Sequence, residues 1–122
     1  MFKGSIPAVI TPFDKNRSID YDKLNKHIDF LIDQQSHGLV SCGTTGESPT
    51  LDHDEHKKIT EVIIKRSNKK VPIMAGCGSN STKESIELVK HAKSAGANAS
   101  LLVSPYYNKP SQDGLFQHFS EI

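Results

Sequence analysis

Two glycines bracket a pair of threonines in Gly43-Thr44-Thr45-Gly46-Glu47. Glycines let a backbone approach a ligand closely, and hydroxyls donate and accept, so this loop can grip a carboxylate or phosphate oxygen without adding charge. A plain turn with satisfied hydroxyls is the competing reading. No Gly-Lys-Ser/Thr follows, so the loop is not a P-loop. Tyr106 and Tyr107, set between Pro105 and Pro110, offer two phenol hydroxyls to a site or pack as ordinary aromatics. His53 and His56 stand three apart and invite a metal reading, with Glu84 or a cysteine as further ligands, but the spacing fits no standard zinc motif. Solvated histidines and a polar small-molecule pocket are the alternatives; the site is expected to hold no metal. The cysteines, Cys42 and Cys77, lie inside apolar runs and read as buried thiols in a reducing compartment. None of the thirteen lysines falls within an apolar strand, where desolvation would make it a nucleophile at neutral pH; Lys109 is the nearest loop candidate.

Four short apolar runs, Ile6 to Ile10, Leu39 to Cys42, Val71 to Ala75 and Ala99 to Val103, are near-continuous rather than alternating, which predicts buried strands. Helical spacing links Tyr21, Leu24, Ile28, Leu31 and Ile32, then Ile59, Val62 and Ile63, then Ile86, Val89 and Ala92. Asp20 is placed to cap the first helix, Asp52 with Glu55 and Ser81 with Glu84 form capping-box patterns, and Gly38 and Gly96 follow helices. A fourth helix opens near Ser111 with Leu115, Phe116 and Phe119, and at barely two turns it predicts that the chain is cut within that helix. Strand and helix alternating in this way make parallel, right-handed βαβ units. Such an α/β chain is either a doubly wound sheet or about half of a (β/α)8 barrel; the pattern alone leaves both open. In either, the chemistry belongs at the carboxyl ends of the strands, where all the loops named above emerge.

Composition narrows the function classes. A hydrophobic share of 35% against 24% charged residues suits a modest packed core over 122 residues. Net charge is +1 with 15 basic and 14 acidic residues scattered along the chain, so no stripe exists to hold nucleic acid or a membrane surface. The N-terminus lacks the apolar region and cleavage site of a secretory leader, and no stretch nears the ~20 apolar residues of a membrane span. A cytoplasmic protein is expected.

Taken together, Gly38-Leu39-Val40-Ser41-Cys42-Gly43-Thr44-Thr45-Gly46-Glu47-Ser48, the following Leu51-Asp52-His53-Asp54-Glu55-His56 and Ser104-Pro105-Tyr106-Tyr107-Asn108-Lys109-Pro110-Ser111-Gln112 closely resemble the 4-hydroxy-tetrahydrodipicolinate synthase (dihydrodipicolinate synthase) family. Phe2 to Ile6 and Thr11-Pro12-Phe13 also look like that family. The resemblance spans the whole chain but reaches under half of a typical member. It implies a (β/α)8 TIM barrel of which residues 1–122 are the N-terminal half, about the first four βα units. It implies a Schiff-base lyase that condenses pyruvate with aspartate 4-semialdehyde on the route to diaminopimelate and lysine, with no cofactor, acting as a homotetramer built from two dimers. By position, Thr45 resembles the residue that binds the pyruvate carboxylate, and Thr44 and Tyr107 the hydroxyls of a proton relay, Tyr107 reaching into a neighbouring subunit. Ser48, Pro49, His53, His56, Asn80, Glu84 and Tyr106 fall where lysine-sensitive members bind that inhibitor. Pro49 departs from the alanine often found there. The imine-forming lysine would lie beyond Ile122, so this chain alone is expected to be inactive. Another pyruvate-dependent aldolase of the superfamily, N-acetylneuraminate lyase-like, and a non-catalytic half-barrel that keeps a lysine-binding surface are the competing readings.

Overall fold

The computed structural model describes residues 2–122. Helix α1 (Tyr21–Asp33), strand β1 (Leu39–Ser41), helix α2 (His53–Ser67), strand β2 (Ile73–Gly76), helix α3 (Thr82–Ala95), strand β3 (Ala99–Leu101) and helix α4 (Gln112–Glu121) follow in order, with two 3-10 turns, Thr44–Gly46 and Ser48–Thr50, between β1 and α2. The helices begin where local chemistry directs. Asp20 accepts from the Lys23 amide and Ser111 from the Gly114 amide, while Asp52 and Glu55 exchange side-chain and backbone bonds in a complete capping box. Gly96, at φ 99°, closes α3 in the left-handed conformation that glycine adopts without strain.

Several sequence expectations are corrected. Residues 6–10 do not form a full strand: a single parallel bridge joins Ala8 to Val40, with Val9 N–H donating to Val40 O and Val40 N–H to Pro7 O. Pro7 has no amide to extend the ladder. Gly38 does not close α1, which ends through Gln34 and the left-handed Gln35. Instead Gly38 is buried where a Cβ would stand 3.1 Å from the Pro72 carbonyl. The Ser81–Glu84 box is half made, because the Glu84 carboxylate leaves the Ser81 amide for other partners. The buried face of α3 runs through Ser85, Leu88 and Ala92, leaving Ile86 half-exposed. Helix α4 has 10 residues, nearer three turns than two, and its buried residue is His118, bonded to Thr82 of α3 at 2.9 Å, while Phe116 and Phe119 are exposed. Residues 99–103 are largely exposed rather than buried, since β3 is paired on one side only among the described residues.

The order of the strands decides between the two architectures that periodicity left open. β1, β2 and β3 lie side by side in chain order, all parallel, with Leu39 opposite Ile73 and Met74 opposite Ala99, and the 6–10 segment flanks β1 on its free side. A doubly wound sheet reverses its order at a switch point; among the described residues none occurs. Each helix packs on the next, α1 on α2, α2 on α3 and α3 on α4, so right-handed crossovers set them all on one face. This is the arrangement of the first βα units of a (β/α)8 barrel. One core cluster, including Val9, Leu24, Ile28, Leu39, Ile59, Ile63 and Ile73, seals α1 and α2 to the sheet; a smaller one, Ala75, Cys77, Leu88 and Ala92, seals α3. Among the described residues, no helix is long and apolar enough to cross a membrane.

Candidate functional site

Because the strands are parallel, every loop from their carboxyl ends reaches the same rim. β1 delivers Ser41 and Cys42 into the threonine loop. Beneath it the Ser41 and Thr60 hydroxyls lie 3.2 Å apart and the Cys42 thiol donates to the His56 carbonyl at 3.4 Å, which ties the root of the loop to α2. The loop then folds on itself: Gly46 N–H donates to Gly43 O and Glu47 N–H to Thr44 O, both at 3.0 Å, and Ser48 N–H to Gly43 O at 3.4 Å. Glu47, at φ 59°, reverses the turn so that the chain can enter α2. The amides of Gly46, Glu47 and Ser48 are therefore spent within the loop, while those of Thr44 and Thr45 have no acceptor among the described residues, so an anion held here can meet these two amides and the side-chain hydroxyls of the same two exposed residues.

A cavity of about 410 Å³ opens between this loop, the first turn of α2, the start of α3 and the loop after β3. Six of the seven residues expected to form a lysine pocket line it: Ser48, Pro49, His53, His56, Glu84 and Tyr106. Thr44 lines it too. Asn80 does not, but its amide donates to the Tyr106 carbonyl at 3.2 Å while Asn108 donates to the Asn80 carbonyl at 3.3 Å, so it holds the tyrosine loop against the loop between β2 and α3. Thr45 and Tyr107 also lie outside the cavity. Tyr107, at φ 72°, is 96% exposed, and among the described residues no hydrogen bond joins it to either threonine.

The polar heart of the cavity is Glu84. One carboxylate oxygen stands 2.5 Å from His53 Nε2, and the other accepts from the hydroxyl of Ser79, which is 2% exposed and in turn accepts from the Ser81 amide. Ser79 was not among the expected site residues; its place in the Gly76-Cys77-Gly78-Ser79 loop after β2 was the available signal. Burial, followed by the charges of His53 and His91, holds the His56 pKa below the ordinary histidine range, so this ring is a neutral donor and acceptor on the cavity wall. Leu51, Leu88 and Val103 supply an apolar side. A carboxylate, neutral imidazole and hydroxyls beside aliphatic walls suit a ligand that carries an ammonium group and a short apolar chain. Among the described residues no three His, Cys, Asp or Glu side chains are grouped as a metal site would need, and no lysine is buried.

A sequential parallel sheet, helices on one face and hydroxyl-rich loops at the carboxyl rim define the N-terminal units of a (β/α)8-barrel protein whose site is built at that rim. The model of the dihydrodipicolinate synthetase family matches residues 1–122, and the chain belongs to that family. It is 58% identical over 122 residues to the 4-hydroxy-tetrahydrodipicolinate synthases of Rhizobium meliloti and of Agrobacterium fabrum, covering 100% of this chain and 42% of each relative. The crystal structure of dihydrodipicolinate synthase from Aquifex aeolicus superposes with a TM-score of 0.95 at 46% identity, over 99% of this chain and 42% of that one. The chloride-inhibited dihydrodipicolinate synthase of Acinetobacter baumannii, complexed with pyruvate, does so with a TM-score of 0.95 at 49% identity, over 98% of this chain and 41% of that one. The chain thus spans well under half the length of the relatives it matches.

Proposed function

We propose that the whole protein to which these residues belong is a Schiff-base lyase that condenses pyruvate with L-aspartate 4-semialdehyde to 4-hydroxy-tetrahydrodipicolinate, within the diaminopimelate and lysine pathway. The observation that carries this reading is the exposed Thr44–Thr45 pair on a self-bonded turn at the carboxyl rim, in a chain 58% identical to synthases of that name. Thr45 binds the pyruvate carboxylate. A lysine outside residues 1–122 forms an imine with the keto carbon and water leaves; the protonated imine acts as an electron sink, so the methyl group loses a proton, the resulting enamine carbon attacks the aldehyde, and the amino group of the semialdehyde then displaces the lysine as the ring closes. Thr44 and Tyr107 pass that proton, a task hydroxyls perform with little movement because each donates and accepts in turn. The fully exposed Tyr107 ring suits a relay completed across a contact between subunits of a tetramer arranged as a dimer of dimers. These residues are the N-terminal half of a single barrel domain, inactive alone, in a cytoplasmic enzyme that needs no cofactor. The Glu84 cavity binds lysine as a feedback inhibitor, with Glu84 on an ammonium group and Ser48, Pro49, His53, His56, Asn80 and Tyr106 around it.

The test is turnover of pyruvate with aspartate semialdehyde by the full-length protein, with borohydride trapping of the pyruvate imine. Thr45→Val is expected to lower kcat/KM for pyruvate by about tenfold or more, since a hydrogen bond to a charged group is worth about 1.5–3 kcal/mol. Turnover of N-acetylneuraminate and none of the semialdehyde would replace this assignment with a sugar-acid aldolase.

A further inference from the structure

The carbonyl of Gly46 is orphaned by the sequence that follows it. In the two 3-10 turns, carbonyls 43, 44, 47 and 48 each receive an amide three residues on, at 2.9–3.3 Å for the last two. Gly46 would look to residue 49, which is proline and has no N–H. Its carbonyl is instead taken by the Thr11 hydroxyl at 2.7 Å, from a side chain only 6% exposed. Gly46 is itself buried, and a Cβ there would fall 2.8 Å from the Val9 carbonyl, so the turn is seated directly on the 9–11 segment.

That segment is anchored on both sides of Thr11. Val9 N–H bonds to Val40 O at 2.9 Å, and Asp20 N–H to Pro12 O at 2.8 Å beside an antiparallel bridge between Phe13 and Ile19. A fixed donor therefore meets a loop carbonyl that has no other partner among the described residues, one and two residues after the hydroxyls of Thr45 and Thr44. We infer that Thr11 is a positioning residue: its buried hydroxyl clamps the Gly46 carbonyl and so sets where the Thr44 and Thr45 hydroxyls stand toward the keto-acid substrate. The inference rests on the function proposed above and adds to it a residue that touches no substrate.

Thr11→Val keeps the side-chain shape and removes the donor, whereas Thr11→Ser keeps the donor. In the full-length protein, Thr11→Val is expected to lower kcat/KM for pyruvate tenfold or more, of the order that a small misplacement of a substrate contact costs, while Thr11→Ser stays within about threefold of wild type. In a Thr45→Val background, Thr11→Val should cost less than it does in the wild type, because one of the two hydroxyls it positions is gone. Hydrogen exchange at the Gly46, Glu47 and Ser48 amides reads the clamp without substrate and should quicken in Thr11→Val alone. Wild-type kinetics in Thr11→Val, equal losses in the serine variant, or fully multiplying effects with Thr45→Val would each overturn the assignment. Quickened exchange with unchanged kinetics would leave Thr11 a purely structural clamp and overturn it as well. A wild-type enzyme that ignores pyruvate, yet shows protected amides released by Thr11→Val, would reject the proposed reaction and leave the clamp standing. If Thr11→Val does not accumulate as folded protein, Thr11→Ala carries the same comparisons.

Discussion

Glu84 Oε1 lies 2.5 Å from His53 Nε2, joining the first turn of α3 to the first turn of α2 across the mouth of the cavity. The capping-box pattern of Ser81 and Glu84 would have spent this carboxylate on a backbone amide of its own helix. Ser79 and His53 hold it in the cavity instead, where it is the negative group best placed to meet an ammonium. Glu84→Gln keeps the shape and removes the charge. On the lysine regulation proposed above, this change in the full-length protein should raise the lysine concentration for half-inhibition by about tenfold or more, since hydrogen bonds to charged groups are worth about 1.5–3 kcal/mol. Inhibition curves, each scaled to the same variant without lysine, measure this; superimposable curves would remove Glu84 from the inhibitor site.

The contrast between that intended cap and the carboxylate's real partners marks what could be read before the fold was known. Asp20, Asp52 and Ser111 act within three residues of themselves, and their roles were legible because the chain's own geometry supplies the partner. The last three of the four apolar runs were legible as strands between helices for the same reason. Whether that order closes a barrel depends on which strand lies beside which, and periodicity does not carry this. The expectation that residues 6–10 form a strand failed on Pro7, and the expectation of a buried 99–103 run failed because burial needs a partner on both sides. At the site, residue types named the cavity's polar walls, yet Ser79 and Thr11 were missed. Ser79 acts through its contacts with Glu84 and the Ser81 amide, and Thr11 through one with the Gly46 carbonyl that spans 35 residues.

Cys42 sits where a reactive thiol would be conspicuous, on the cavity wall at the end of β1. Burial pushes its pKa up to about 12, with the Thr60 hydroxyl opposing in part, and burial likewise raises that of Cys77. Only the thiolate attacks an alkylating reagent, so both cysteines should remain unlabelled by iodoacetamide at about pH 8 in the native protein and be labelled promptly in urea. Peptide mass spectrometry distinguishes the two sites. Fast native labelling of Cys42 would contradict its burial against α2.

His56 makes stability depend on pH in a defined direction. Its folded pKa is held below the value of 6.5 it takes when unfolded, so as pH falls through about 6.5 the unfolded chain takes up a proton that the folded chain refuses. Stability is complete above that pH, declines as pH drops through it, and levels off below the folded pKa. His27 is shifted the same way by burial and adds to the trend. Urea midpoints of the full-length protein measured from about pH 8 to about pH 5 should fall, and His56→Gln should make the fall shallower. Parallel profiles for the two proteins would show that His56 is not the neutral, buried group described.

Gly76 and Gly43 both border the cavity, but only one of them should resist a side chain. A Cβ on Gly76 would stand 2.2 Å from the Cys42 carbonyl oxygen and 2.8 Å from that of Ser41, both backbone atoms of the neighbouring strand with no flexible end to swing aside. Accommodating it requires β1 and β2 to part at the rim where the threonine loop begins. On Gly43, with φ at −77°, the nearest atoms would be Val40 Cγ1 at 3.6 Å and Ala8 Cβ at 3.8 Å, which is ordinary contact. Gly76→Ala should therefore cost about 1–3 kcal/mol or more, as overpacking does, and Gly43→Ala within about 0.5 kcal/mol of nothing. Denaturant titrations at matched slope compare the two variants directly. Equal tolerance at both positions would mean that β1 and β2 approach less closely at the rim than the Ser41–Ala75 register requires.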